Sequence, residues 1–425
     1  MSEMNATSGR LQHLSLGEEI VSRISELAAI SETPEHLARI FLTREHRAAA
    51  DLILSWMRSA GMRAHLDAVG NVCGRYEGAR EGLPCLMLGS HYDTVRDAGE
   101  WDGPLGLISA ISCVADLNRR GLRLPFAIEV TGFADEEGVR FASTLLGSRA
   151  VAGTFDESVL NVRDADGISM REALKSFGLD PDHIGAAARA RRELLAYLEL
   201  HIEQGPVLEQ ENLAVGVVTA IAGATRLAAR LSGMAGHAGT VPMAMRRDAL
   251  TGAAECIGAI EEFCRTDTGG LVGTVGYIHA MPGATNVIPG EVSFTIDIRA
   301  PTDAHRKLAV TDIVRRIEAI ARRRRLSLQL DVTHENRTVP CAPWLKAQVA
   351  DAIAAEGFRA FELPSGAGHD GMAMIDIADV GMIFVRCCGG ISHHPDEHVE
   401  LADADAGARV LLRLIENFRP KDTAG

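Results

Sequence analysis

Residues 89–106 read GSHYDTVRDAGEWDGPLG and follow the apolar run LPCLML. The run predicts a buried strand, and the apolar pattern that begins at Leu105 predicts a helix. A strand, a polar loop and a helix in this order predict an α/β fold. The loop carries His91, Asp93 and Asp102, and imidazole and carboxylate groups are common ligands of divalent metals. The stretch therefore predicts half of a metal site.

A second acidic loop follows the next apolar run. The sequence FAIEVTGF at 126–133 predicts a buried strand, and Asp135, Glu136 and Glu137 come soon after it. In open α/β sheets, ligands bind at the carboxyl ends of the strands. We therefore expect the two acidic loops to lie at the same edge of one sheet.

The composition excludes several classes of protein. The length of 425 residues exceeds the length that a single hydrophobic core usually supports, which predicts two domains. The formal net charge of -14 argues against non-specific nucleic-acid binding and against an anionic membrane surface. No segment approaches the roughly 18 uninterrupted apolar residues of a spanning helix. The first 15 residues lack the basic and apolar regions of a signal peptide.

The eight cysteines lack CxxC spacing and lie in apolar surroundings, which predicts reduced thiols in a cytoplasmic protein. Cys387 and Cys388 are adjacent in an apolar run. Packing is the simpler interpretation of this pair, and metal binding or redox sensing is the alternative.

The pattern of elements changes at about residue 225 and changes back near residue 333. Between them the order is β-α-β-β-α-β, which is typical of a ferredoxin-like unit and includes a strand predicted over residues 271–279. We therefore predict a catalytic domain of residues 1–222 and 334–425, with a second domain of residues 223–333 inserted into it.

Further candidate ligands follow later apolar runs. They are His201 and either His393 or His394. One such residue alone is more often structural, but several of them at one edge of an α/β sheet predict a binuclear metal site. Asp102 is the best placed carboxylate to bridge two cations.

Spacing separates the roles of the acidic residues. His91 and Asp93 are two residues apart in an extended segment, so Asp93 can accept the second ring N–H of His91. Glu136 and Glu137 are adjacent, and side chains of adjacent residues point in opposite directions in extended backbone. One of them should bind metal while the other stays free as the general base.

Several motifs together carry a resemblance to a known family. In chain order they are HYDTV at 91–95, WDGPLG at 101–106, ADEEG at 134–138, HIEQGPVLE at 201–209, GHAGTVPM at 236–243, ATNVIPG at 284–290, SGAGHD at 365–370 and GISHHPDEH at 390–398. The set resembles the amidase and carbamoylase branch of the M20 metallopeptidase-like family. The resemblance implies an α/β, Zn-peptidase-like catalytic domain and a ferredoxin-like lid domain through which two chains dimerise.

The resemblance implies two sets of metal ligands. They are His91, Asp102 and His201 for one divalent ion, and Asp102, Glu137 and His393 for the other. Glu136 would be the general base, and Zn²⁺, Mn²⁺ and Co²⁺ all suit such ligands.

The resemblance has three further implications for particular residues. The family ligand in GISHHPDEH is the first His, which favours His393, while His394 stands where relatives have Asn or Ser. His201 marks this branch, since peptidase relatives have a carboxylate there. The resemblance also implies a cis peptide between Asp102 and Gly103.

The predicted lid domain would contribute substrate contacts. His237 resembles the residue that reaches the partner subunit's site and stabilises an oxyanion. Asn286 and Arg299 resemble the pair that grips the substrate carboxylate, a task that suits the planar guanidinium. We expect these residues to act across a homodimer interface. A surface ion pair is the alternative role for Arg299.

The remaining predicted site residues belong to the substrate pocket. They are Gln204, Gly366, Ala367 and Gly368. His369 and Asp370 would belong to the same pocket loop, and direct catalysis is the alternative for them.

The resemblance implies hydrolysis of the ureido C–N bond of a small carboxylate. Residues 237–255 and 365–399 look most similar to allantoate amidohydrolases, so allantoate is the expected substrate. N-carbamoyl-L-amino acids and ureidoglycolate are the alternatives. His201 disfavours an aminopeptidase, and the presence of Glu136 with all five ligands disfavours a non-catalytic binding protein.

Overall fold

A computed structural model describes residues 14–421 and shows two compact units. The first unit combines the residues up to 218 with 342–362 and those from 369 onward, and the second combines 219–341 with 363–368. The second unit therefore extends beyond the predicted 223–333 at both ends. It also includes the segment 363–368, because the Ala222 N–H donates to the Ser365 carbonyl at 2.9 Å.

The elements of the chain before the insertion are α1 (Leu16–Ala28), α2 (Arg44–Ser59), β1 (Arg63–Leu66), β2 (Val72–Tyr76), β3 (Cys85–His91), α3 (Pro104–Arg119), β4 (Ala127–Phe133), α4 (Leu146–Val151), α5 (Met170–Phe177), β5 (Leu194–Ile202), α6 (Val207–Gln210) and β6 (Val215–Ile221). Those that follow are β7 (Gly223–Ser232), β8 (Gly236–His237), α7 (Ala249–Arg265), β9 (Val272–Thr274), β10 (Ile278–Met281), β11 (Val287–Ile288), β12 (Glu291–Ala300), α8 (Asp303–Arg324), β13 (Ser327–Asn336) and β14 (Val339–Pro340). The chain ends with α9 (Pro343–Ala355), β15 (Glu362–Ser365), α10 (Gly371–Met374), β16 (Val380–Val385) and α11 (Leu401–Glu416).

The first unit is built on a mixed sheet in the order β1-β2-β4-β3-β5-β16-β6. Strand β3 runs parallel to β4 and β5, and β5 runs parallel to β16. All residues of β3 and β4 are buried, because the sheet is covered on both faces. His91 pairs with Phe133 in this register, so the loops after β3 and β4 leave the sheet at the same edge. The expectation that both acidic loops share one edge is confirmed.

Helix α3, which the apolar pattern from Leu105 predicts, packs closely on this sheet. Almost all of its residues are buried, and Pro104 is its first residue. A Cβ atom on Gly106 would overlap the carbonyl oxygen of Leu200 in β5. Glycine at this position therefore allows the helix and the strand to approach each other.

The second unit has a sheet in the order β10-β12-β7-β13, in which all neighbours are antiparallel. Alternate residues of β7 and β12 are buried and form a core with α7 and α8. This is the ferredoxin-like arrangement that the order of elements predicts. The single strand predicted over 271–279 is wrong, because β9 and β10 pair with β12 as two strands separated around Gly276. A glycine has no side chain to pack on the sheet and weakens a strand.

In the part of the chain that the structure describes, no helix has the length and apolar character needed to cross a bilayer. Within the described residues, none of the eight cysteines forms a disulfide bond.

Candidate metal centre

The strand ends of the first unit hold the predicted ligands. His91 is the last residue of β3, and His201 is near the end of β5. Glu136 and Glu137 follow β4, Asp102 lies just before α3, and His393 lies between β16 and α11. The topology thus brings residues from five separate segments together.

Asp102 lies at the centre of this group. Its Oδ1 atom is 3.3 Å from His91 Nε2 and 3.2 Å from His201 Nε2. Its Oδ2 atom is 3.2 Å from His393 Nε2, and that nitrogen is 3.5 Å from Glu137 Oε1. The two carboxylate oxygens of Asp102 therefore face two different sets of side chains, which is the arrangement of a bridging ligand.

Each set is compact enough to hold a cation. The ligand atoms of His91, Asp102 and His201 all lie within 4.8 Å of one another, and so do those of Asp102, Glu137 and His393. The His201 Nδ1 atom lies 3.0 Å from the Ile202 carbonyl, which turns Nε2 toward Asp102. Among the described residues, this buried Nε2 has no hydrogen-bond partner. The donor set and this unsatisfied nitrogen fit a divalent metal.

The charges of the centre also favour cations. Burial by itself would raise the pKa of Asp102, but the adjacent imidazole rings of His201, His393 and His91 hold that pKa well below its usual range. Burial raises the pKa of Glu136 well above its usual range, and the nearby carboxylate of Glu137 adds to the effect. Such crowding of carboxylates in a buried site is offset when divalent ions bind.

Asp93 connects the His91 strand with the second acidic loop. Its carboxylate oxygens accept the N–H groups of Glu136 at 3.1 Å and of Glu137 at 3.2 Å. The Nδ1 atom of His91 is 3.1 Å from the backbone carbonyl of Asp93 and 3.5 Å from its carboxylate. Asp93 therefore fixes both the histidine ring and the acidic loop.

The extended backbone expected for Glu136 and Glu137 is not observed. These residues form a bend, because Asp93 takes both of their N–H groups. Ligand atoms of the two side chains lie within 4.8 Å of one another and of His91. The argument that they point in opposite directions is therefore wrong. The two glutamates differ instead in their neighbours, because Glu137 lies beside His393.

The two adjacent histidines face different surroundings. His393 has a positive φ of 55° and points to Asp102 and Glu137. His394 is exposed, and its Nδ1 atom accepts the N–H of Asp396 at 3.1 Å. The structure thus places His393 at the centre and His394 away from it.

The cis peptide implied between Asp102 and Gly103 is not present. In the described range, the cis peptide is Met281-Pro282. Gly103 instead has a φ of +83°, and a Cβ atom there would lie 2.5 Å from the His91 ring. Glycine at this position leaves room for the imidazole.

Sequence reasoning missed most of the side chains that hold Asp102. Gln204, predicted to line the pocket, donates from Nε2 to Asp102 Oδ2 at 2.7 Å, and Ser392 Oγ donates to the same oxygen at 2.7 Å. Glu397 Oε1 accepts the N–H groups of Trp101 at 2.8 Å and of Asp102 at 3.0 Å. The sequence signal for Glu397 was its place in the motif GISHHPDEH at 390–398. In the structure this glutamate is buried.

Two more buried side chains, those of His369 and Glu199, lie close to His201. The His369 ring meets the His201 ring edge-on at 4.5 Å between centroids. Glu199 was also missed, although it stands two residues before His201 on β5 and so shares its face. It accepts hydrogen bonds from the Tyr197 hydroxyl at 3.0 Å and the Gly371 N–H at 3.3 Å. Ligand atoms of Glu199, His201 and His369 all lie within 4.8 Å of one another.

Within the second unit, two of the predicted substrate residues are neighbours. Strands β8 and β11 form a short ribbon in which His237 pairs with Val287, and the Ala238 N–H donates to the Asn286 carbonyl at 2.9 Å. His237 and Asn286 are both exposed. The ribbon therefore brings the two residues close together and leaves both of them exposed.

Arg299 lies elsewhere in the second unit, on β12. It forms two 3.0 Å hydrogen bonds with the Asp297 carboxylate, and its Nη1 atom donates to the Gly366 carbonyl at 2.8 Å. The ion pair named as the alternative is thus present. Arg299 and Gly366 also line a cavity of about 760 Å³, together with Arg226 and Ser365. Ala367 and Gly368 continue the loop from Gly366.

The chain is similar to several known proteins over most of its length. The profile of peptidase family M20/M25/M40 matches residues 87–417. An N-carbamoyl-L-amino acid amidohydrolase of Geobacillus stearothermophilus is 42% identical, over 94% of this chain and 98% of its own length. An allantoate deiminase of Arabidopsis thaliana is 41% identical, over 98% of this chain and 85% of its own length. The crystal structure of a hydantoinase/carbamoylase family amidase from Burkholderia multivorans is 33% identical and has a TM-score of 0.89, covering 95% of this chain and 98% of that one. The chain therefore belongs to peptidase family M20/M25/M40.

Proposed function

We propose that the protein is a binuclear metal-dependent amidohydrolase that cleaves a ureido C–N bond of a small carboxylate, with allantoate as its substrate. The observation that carries the proposal is the position of Asp102 between two ligand sets, with Glu136 beside them. Relatives named allantoate deiminase and N-carbamoyl-L-amino acid amidohydrolase support this reaction class.

The two ligand sets support two proposed positions for divalent ions. One ion would be held by His91, Asp102 and His201, and the other by Asp102, Glu137 and His393. Two divalent ions, when bound, would lower the pKa of a water molecule and polarise the ureido carbonyl. Zn²⁺, Mn²⁺ and Co²⁺ suit these ligands.

Glu136 is the proposed general base. It takes a proton from the attacking water and returns it to the departing nitrogen. Burial and the neighbouring Glu137 carboxylate raise the pKa of Glu136 above its ordinary value, and a carboxylate with a raised pKa accepts a proton more readily. Asp93 holds the Glu136 backbone in place through the N–H group that it accepts.

The second unit would bind the substrate carboxylate. Asp297 pairs with both Arg226 and Arg299, so these three side chains carry a net positive charge. A carboxylate ligand would balance that charge, and Asn286 would add a hydrogen bond. His237 would stabilise the oxyanion of the tetrahedral intermediate. In this proposal the protein is a homodimer, and His237, Asn286 and Arg299 act on the site of the partner subunit.

N-carbamoyl-L-amino acid hydrolysis is the second candidate, because the relative of that name is as similar as the allantoate deiminase. The test is an ammonia-release assay, with a parallel amino-acid assay, of protein reconstituted separately with Zn²⁺, Mn²⁺ and Co²⁺. We expect the highest kcat/KM with allantoate, and lower values with N-carbamoyl-L-amino acids, ureidoglycolate and a dipeptide. Turnover of N-carbamoyl-L-amino acids alone would replace allantoate with the second candidate. Cytoplasmic location stays a prediction from the sequence.

A further inference from the structure

A second group of metal-ligating side chains lies outside the centre. It consists of Cys388, His398 and Glu400, whose ligand atoms all lie within 4.8 Å of one another. The Cys388 Sγ atom is 4.0 Å from Glu400 Oε1, and the His398 Nε2 atom is 3.9 Å from the same oxygen. A thiol, an imidazole and a carboxylate therefore meet at one point of the first unit.

The backbone holds these three residues in register. Cys388 follows β16, and Glu400 immediately precedes α11. The Cys388 N–H donates to the His398 carbonyl at 2.8 Å, which ties the two segments together at the group itself. The ligand atoms thus approach one another because the fold places their segments side by side.

The charged side chains around this group are mostly acidic. Arg386, the nearby cation, is held by two 2.8 Å hydrogen bonds to the Asp403 carboxylate. Glu209 adds another carboxylate close by, since it accepts the Gly389 N–H at 3.1 Å. Burial and the neighbouring Glu400 carboxylate raise the pKa of the Cys388 thiol. A bound cation would supply the charge that the site lacks.

We propose that Cys388, His398 and Glu400 form a peripheral site for a borderline-soft divalent metal such as Zn²⁺. Ligand atoms of a tetrahedral zinc site are roughly 3.3–3.8 Å apart, as follows from metal–ligand distances of about 2.0–2.3 Å. Shifts of a few tenths of an ångström would bring the Cys388–Glu400 distance of 4.0 Å and the His398–Glu400 distance of 3.9 Å into that range. A thiolate ligand selects such metals over Mg²⁺ and Ca²⁺. His398 and Glu400 are exposed, so solvent can provide a fourth ligand.

The site adjoins the catalytic loop without sharing a ligand with it. The His398 ring meets the Trp101 ring edge-on at 6.0 Å between centroids, and Trp101 directly precedes Asp102. A metal here would join the end of β16 to the start of α11. Its binding would therefore raise the melting temperature of the protein.

Cobalt distinguishes this site from the centre. A Co²⁺–thiolate bond gives a charge-transfer absorption in the near ultraviolet, whereas the centre offers only imidazole and carboxylate ligands. Titration of the full-length metal-free protein with Co²⁺ should give this band with one equivalent per chain. The Cys388→Ser variant should lose it, and Zn²⁺ should displace it.

The matched control is Cys264→Ser, which alters a partly buried free thiol outside the group and should keep the band. His398→Ala and Glu400→Gln should each weaken Co²⁺ binding at this site by at least about 10-fold. Circular dichroism checks that each variant is folded. A missing band in the wild type, a band that survives in Cys388→Ser, or unchanged affinity in the other two variants would each overturn the proposal.

Discussion

A carboxylate oxygen of Asp93 accepts the backbone N–H of Glu136 at 3.1 Å. The contact joins residues from two different strand ends, since Asp93 follows β3 and Glu136 follows β4. The other oxygen of Asp93 accepts the N–H of Glu137. The Asp93 side chain therefore positions the proposed base, Glu136, relative to His91. It also positions the proposed metal ligand Glu137.

The first prediction concerns the base itself. Glu136→Gln keeps the shape of the side chain but cannot accept the proton of water. We expect kcat to fall by at least about 100-fold, while the metal content stays that of the wild type. Steady-state ammonia release and elemental analysis provide the two readouts. Substantial remaining turnover would remove Glu136 from the role of general base.

The second prediction concerns Gly103. Gly103→Ala would push a methyl group against the His91 ring, so we expect metal affinity to fall by at least about 10-fold. Gly121→Ala is the control, because Gly121 also has a positive φ but no atom within 4 Å of its added Cβ. Both variants carry backbone strain, because alanine tolerates a positive φ less well than glycine. Equal metal affinity in the two, measured by calorimetry, would show that contact with His91 is unimportant.

The third prediction concerns Glu397. Glu397→Ala leaves the N–H groups of Trp101 and Asp102 without their acceptor, at a cost of about 1–3 kcal/mol in the free energy of unfolding. Glu397→Gln keeps an acceptor oxygen and should lose less. Urea unfolding of the metal-free proteins measures both, and metal titration should show weaker binding to the Ala variant. If the two variants behave alike, the hydrogen bonds to the Asp102 loop are not what Glu397 contributes.

The fourth prediction concerns acid stability. His46 is fully buried against the Tyr92 ring, and burial lowers its pKa from 6.5 to about 3. Between these values the unfolded chain binds a proton that the folded chain does not, so stability falls as the pH falls from about 6.5 toward 3.

We expect this residue alone to contribute about 1.4 kcal/mol per pH unit within that window. His46→Gln should remove the contribution and flatten the pH dependence. Urea unfolding between pH 4 and 7 with a chelator present measures the difference between the proteins. Parallel curves for the variant and the wild type would contradict the assignment.

The fifth prediction tests the proposed dimer. A chain with His237→Ala and a chain with Glu136→Gln should each be inactive alone. If His237 acts on the partner's site, a heterodimer of the two regains one complete site of its two. Differently tagged chains, purified as heterodimers, allow the assay. A verified heterodimer without activity would show that each site is built from one chain.

The sequence by itself determined the fold class and most of the centre. Apolar runs report local backbone structure, because the side chains of a buried strand or helix follow its repeat. These runs located the parallel strands and the shared edge that carries His91 and Glu136. The β-α-β-β-α-β order of the second unit follows for the same reason. His201 and His393 were predicted from sequence motifs, whose residues are contiguous in the chain.

Only the tertiary structure decided how Asp102 is held. Its N–H bonds to Glu397, which lies 295 positions away, and no periodicity connects two such residues. The bend at Glu136 and Glu137 likewise depends on Asp93, which is 43 positions from Glu136 and overrides the extended backbone expected after a strand. Segment 363–368 joins the second unit through its contact with Ala222. Long-range hydrogen bonds fix these features, and a sequence pattern reports only neighbours along the chain.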